Sequence, residues 1–400
     1  MENKNNNKGF LKGALVGALA MFIVLGGLGW LFLCHGVGGT ANKGVLNSKT
    51  ETKIDKMREL IDGYYLYDVS DEELQNGIYE GYISGLDDPY SVYYDEAATK
   101  DLLESTTGEY SGIGAVMTQD ADNGLVKILQ VYKDCPGEKA GLKEGDIIYQ
   151  VDDHELTGEE DLSEVVSWIK GEQGTDVKLH VYRGDEAEEM ELTATRDVVK
   201  AQTVSHEMKE NQIGYIRVSE FDTVTYDQFA EALTDLENQN MQGLVIDLRS
   251  NPGGNVSTVC DMLRLLLPKG LIVYTEDKDG KRQEYSCDGA SEFTKPLTVL
   301  VDGYSASASE IFSGAVQDYG IGKIVGTTTY GKGVVQQLMD LKDGTYLKLT
   351  IAEYFTPKGR SINKKGIEPD VEVEYKADEN NAEADNQLDK ALEVIQEELK

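Results

Sequence analysis

From residue 198 onward, short apolar runs alternate with amphipathic helical segments, and this alternation restricts the fold more than any other feature of the chain. Strands are expected at 214–218, 244–248, 297–301 and 323–325, with helices at about 226–239, 257–267 and 308–319 between them. Apolar strands joined through helices favour a sheet with parallel crossovers. The chain has 400 residues, too many for one compact core, so further domains are expected.

The segments before and after this region differ in kind. In 44–106, Ile54, Met57, Leu60 and Ile61 repeat at helical spacing and a turn-rich run follows at 85–91, which reads as a small helical module. In 107–197, β-type runs at 112–117, 126–131 and 177–183 surround a helix at 161–170, where Leu162, Val165, Val166 and Ile169 make one apolar stripe. The region 198–376 is followed by an acidic helix at 377–400, in which Leu388, Leu392, Ile395 and Leu399 form a stripe. That stripe needs a partner, either its own core or another chain. Within 1–43, residues 13–42 contain no Asp, Glu, Lys or Arg, and 14–34 is apolar enough to span about 30 Å as a helix. An uncleaved membrane anchor is expected there. Lys8 and Lys12 precede it, but Lys43, Lys49 and Lys53 follow, so charge leaves its orientation nearly tied.

Composition and motifs exclude several chemistries. With 38 Lys and Arg against 72 Asp and Glu, the net charge of −34 repels phosphate backbones, so nucleic acid is not an expected partner. Cys34, Cys135, Cys260 and Cys287 are too few and too dispersed for a disulfide framework or a metal knuckle. A Cys260–Cys287 bridge is conceivable and the sequence leaves it open. The chain has no HExxH and no GxSxG, and none of His35, His154, His180 and His206 lies near a serine motif. A histidine-based serine triad is therefore not expected. Residues 326–333 match a P-loop until Gly333 stands where Ser or Thr would hold Mg²⁺, and 333–337 is a poor helix start, so nucleotide is not expected either.

Another device remains. Ser307 follows the strand at 297–301 and opens a helix, and with Glu310 it satisfies S-x-x-E, whose ordinary meaning is a helix cap. A serine at such a turn is also exposed, and the first helical N–H, that of Ala308, points at whatever binds there and could stabilise an oxyanion. A second donor could come from the turn at 251–254, through Gly253 or Gly254. A serine without histidine needs another base. Lys332, between Gly331 and Gly333, can serve if burial lowers its pKa from about 10.4 by the 3 to 5 units seen for fully desolvated groups. Gln336 lies four residues beyond Lys332 and can help it only if the segment coils.

These residues carry two resemblances. Residues 107–197 resemble a PDZ domain of the bacterial type, which implies that Gly112, Ile113 and Gly114 form a loop capturing a peptide carboxylate, with Leu162 and Val165 of the helix against the last side chain. The alternative for the stripe is packing in the domain's own core. The blocks at 248–254, 305–310, 331–336, 354–362 and 366–370, in this order behind the PDZ region, resemble the C-terminal processing peptidases, or tail-specific proteases, and 86–91 is similar to that family's N-terminal module. The resemblance implies a multidomain α/β protein with a crotonase-like core and no metal or cofactor. By position it makes Ser307 the nucleophile, Lys332 the base, Gln336 the residue orienting the lysine, and Ala308 and Gly253 the oxyanion donors. It links Lys170 to gating by the PDZ domain. It further implies unfolded or C-terminally exposed protein substrates with apolar tails, a homodimer, and catalytic domains outside the cytoplasm on a single-pass anchor in the cell membrane. A catalytically silent PDZ scaffold is the main alternative, and an acyl-transfer enzyme acting on small molecules is another.

Overall fold

The computed structural model describes residues 44–120, 123–184, 186–377, 381 and 384–400. They divide into two units, one ending at Gln75 and one starting at Asn76. In the first, helix Ser48–Tyr64 starts at Asn47, whose side-chain oxygen accepts the amides of Lys49 and Thr50. Arg58 pairs with Asp62 and Asp71 there.

In the second unit the expected alternation becomes a six-stranded sheet in the order Val204–Lys209, Ile213–Val218, Gly243–Asp247, Leu297–Val301, Lys323–Gly326, Val371–Glu372. The first pair is antiparallel and every later pair is parallel. Gly243–Asp247 and Leu297–Val301 are buried along their whole length, because alternate side chains enter different cores. Leu244, Ile246 and Val299 join Phe229, Leu263 and Phe312 from helices Thr225–Asn238, Val256–Arg264 and Ala308–Tyr319. Val245, Leu300 and Val325 join Ala391 and Ile395 from helix Asn386–Glu398. The acidic C-terminal stripe thus finds its partner on its own sheet, and Leu399 alone of its members is left exposed.

Residues 109–200 form a second domain around a sheet in the order Ala115–Gln119, Val126–Val131, Ile147–Val151, Asp176–Arg183, Glu188–Thr195. A third sheet was not foreseen. It pairs Val92–Tyr94, Tyr346–Phe355, Gly270–Asp277 and Arg282–Cys287, with Val334–Asp340 also on Tyr346–Phe355. Only Val334 is buried in Val334–Asp340, so little apolar patterning marks that strand. The register joins Val92 to Lys348, a pairing that no local pattern reports.

Two expectations are corrected or closed. Among the described residues no helix is long and apolar enough to cross a membrane, and the charge-free run at 14–34 lies outside them. The single-pass anchor, and with it the extracytoplasmic placement, is therefore withdrawn. Cys260 and Cys287 are both buried free thiols, and the Cys287 Sγ donates to the Leu267 carbonyl at 3.2 Å.

The C-terminal helix is fixed by an arginine fork. The Arg249 guanidinium donates to both oxygens of Asp247 and to both oxygens of Asp385, which itself caps helix Asn386–Glu398 through the amides of Gln387 and Leu388. Burial alone would raise the Asp385 pKa, but Arg249 and the two amides hold it below its ordinary value. A depressed carboxylate contributes stability that is complete above its unfolded pKa and lost as pH falls through the folded one. Asp385→Asn is expected to cost about 2 kcal/mol in urea unfolding at pH 7. The gap from the unsubstituted protein should close as pH falls below about 4.

Candidate active site

Strands Gly243–Asp247 and Leu297–Val301 are parallel neighbours, so the loops leaving their C-terminal ends emerge side by side. Asn251, fully buried, binds the two loops together. Its Nδ2 donates to the Val218 carbonyl at 2.9 Å, and its own carbonyl accepts the Ala306 amide and the Ser309 hydroxyl, both at 3.0 Å. Three serines alternate in this turn and the structure separates them. Ser305 and Ser309 are fully buried, their hydroxyls donated to the carbonyls of Leu248 and Asn251. Ser307 instead lines a cavity of about 460 Å³. Its backbone sits at φ 55°, ψ −111°, a strained conformation for a residue with a side chain.

Lys332 lines the same cavity, as do Gly253, Gln336, Lys348 and Tyr354. What brings the segments of Ser307 and Lys332 together is Glu310. Its fully buried carboxylate accepts the Ser307 amide at 2.8 Å, the Gly331 amide at 2.7 Å, the Lys332 amide at 2.9 Å and the Thr329 hydroxyl at 2.6 Å. The helix cap is present, but the same carboxylate also reaches across to a second chain segment. Burial pushes the Glu310 pKa up, against the pull of these hydrogen bonds. Gly333 has to be glycine, since a Cβ there would stand 2.2 Å from the Asn363 amide nitrogen. The Tyr354 hydroxyl donates to the Lys332 carbonyl.

The Lys332 amine lies 4.9 Å from the centre of the Tyr90 ring. Its pKa is lowered, first by burial and then by the Lys348 cation, with Glu310 and Asp88 acting in the opposite sense. Tyr90 reaches this position from the turn where the Asp88 carboxylate accepts the Tyr90 amide and the Ser91 hydroxyl. Among the described residues no group of His, Cys, Asp and Glu could hold a metal ion. His154 stacks on Trp168, His180 lies against Tyr149, and His206 pairs with Asp235.

Other predicted residues lie where their backbones put them. Ala308 is the first residue of its helix and fully buried. Gly253, at φ 110°, packs so closely that a Cβ would be 2.8 Å from the Ser307 Cβ, and its N–H is donated to Asn251 Oδ1 at 2.8 Å. Gln336 stands in a strand, not a coil, after a bulge between Val335 and Gln336, and its amide donates to the Val334 carbonyl and the Thr350 hydroxyl. In the domain at 109–200, Gly112 pairs with Asp197, and the carbonyls of Ile113 and Gly114 accept the amides of Gly137 and Tyr132. Val165 is fully buried in that domain's own core, whereas Leu162 is partly exposed at its edge. Lys170 pairs with Glu104 at 2.9 Å. Tyr90, Tyr354 and Lys348 were missed by the sequence reading. The first two lie inside blocks it singled out, while Lys348 carried no signal.

Comparison with known proteins identifies the family. Residues 212–373 match peptidase family S41, 111–194 match the PDZ domain, and 36–98 match the activating protease CtpB N-terminal domain. The carboxy-terminal processing protease CtpB of Bacillus subtilis (strain 168) is 36% identical over 84% of this chain and 70% of its own length. CtpA of the same organism is 35% identical over 84% of this chain and 73% of its own length. A solved protein from Bacteroides fragilis assigned to the S41 proteases superposes with a TM-score of 0.52 at 19% identity, over 80% of this chain and 90% of its own, a likeness of fold. With this identity and coverage, the chain belongs to the carboxy-terminal processing proteases, serine-type peptidases of family S41 that carry a PDZ domain.

Proposed function

We propose that the chain is an endopeptidase in which Ser307 is the nucleophile and Lys332 the general base. The observation that carries this reading is the Glu310 carboxylate, bonded to the backbone amides of both residues beside the cavity they share. In the reaction the neutral Lys332 amine takes the Ser307 hydroxyl proton as Oγ attacks the scissile carbonyl carbon. The oxyanion is met by the Ala308 N–H and by that of Gly253, which first releases Asn251 Oδ1; the Gly254 N–H is the alternative donor. Collapse breaks the peptide C–N bond, and the lysine ammonium returns its proton to the leaving amine. Water, activated by the same amine, then hydrolyses the acyl-enzyme. Gln336 orients the lysine once it exchanges its bonds to Val334 and Thr350. The substrates are unfolded proteins whose apolar C-terminal tails are held by Gly112, Ile113 and Gly114.

Cleavage of an unfolded protein with an apolar tail, followed by gel and mass spectrometry, is expected to fall at least about 10³-fold in Ser307→Ala and in Lys332→Ala. Full activity in both would remove the mechanism. Tail binding with no turnover by the unsubstituted protein would favour the silent scaffold.

The pH profile supplies a second test. The base works as the free amine, so kcat/KM should rise with pH through a Lys332 pKa lying below the ordinary lysine value. Removing the neighbouring cation with Lys348→Met raises that pKa, so the rising limb should move to higher pH. Glu310→Gln keeps the shape but weakens charge-assisted bonds to four donors, and should lower both the thermal midpoint and kcat.

A further inference from the structure

We infer that Glu220 and Asp222 form a subsite for a cationic side chain, lysine or arginine, of the substrate near the scissile bond. The inference rests on the endopeptidase reading and names a class of sequence it would favour. The segment 220–222 runs against the glycine turn. The Phe221 amide donates to the Gly253 carbonyl at 2.9 Å, and the Phe221 carbonyl accepts the Asn255 amide at 2.7 Å. Gly253 in turn packs on Ser307, so this segment borders the reacting serine. In extended backbone, successive side chains take opposite sides. Phe221 is fully buried in the main core, while Glu220 and Asp222 line the cavity that holds Ser307 and Lys332.

Asp222 is the unusual member of the pair. It is 7% exposed, yet no described residue gives its carboxylate a hydrogen bond or an ion pair, and it faces the cavity. A carboxylate so enclosed is ordinarily paired or made neutral. Burial, and then the charge of Glu220, push its pKa up to about 7. A lysine or arginine head would supply the missing partner, with its apolar stem lying along the cavity wall. Glu220, exposed at the rim, would meet the same head from the solvent side. The two groups fall short of a metal site, since no cluster of three ligating residues is present among the described residues.

The test uses unfolded protein substrates that differ only by lysine or glutamine at each position flanking a mapped cleavage site, with kcat/KM measured for each pair. At one position lysine should exceed glutamine by about tenfold. That ratio should fall toward one in Glu220→Gln and in Asp222→Asn. In Glu220→Lys, a change of an exposed side chain, it should invert, glutamine then exceeding lysine. The inference is overturned if the unsubstituted protein shows no such preference at any position, or if the preference survives all three substitutions. Ser307→Ala is run alongside: retained cleavage there would overturn the endopeptidase reading itself, whatever the preference.

Discussion

One buried carboxylate holds the site in register. Enclosing Glu310 would cost several kcal/mol were its oxygens unsatisfied, and four donors meet them. Two of those donors are the amides of Ser307 and Lys332, so the distance between the segments is fixed through backbone. That spacing needs no attraction between the lysine and serine side chains. The arrangement also places a negative charge near the amine, which favours the ammonium, while burial and Lys348 favour the free base. The balance between these opposing influences sets how much of the amine is uncharged.

The rest of the site is built outward from the ends of two parallel strands. Asn251 joins the loops that leave them, and Arg249, two residues before it, joins one of those loops to the C-terminal helix. Packing on the far face of the sheet is thereby connected to the turn that carries Gly253. The Gly253 amide already serves Asn251 Oδ1, a bond within the same turn.

Much of this was legible because it is local. The strands around 244–248 and 297–301 and the helix opening at Ala308 follow from runs of apolar residues and a turn between them. The glycines flanking Lys332 announced a tight, crowded segment, and Gly333 against Asn363 is that crowding. What the sequence hid depends on distant pairing. Val334–Asp340 has too little buried surface to read as a strand, so the placement of Gln336 was left to depend on a coil that does not exist. The approach of Tyr90 to Lys332 requires the pairing of Val92 with Lys348, which no periodicity encodes. Glu310 was visible as a cap, but a cap motif describes one helix end and says nothing of the segment on the other side of the carboxylate.

The backbone of Ser307 has a consequence of its own. Threonine would preserve the hydroxyl, but its extra methyl branch is poorly tolerated where φ is positive. The choice between the two alcohols at this position is made by the shape of the turn alone.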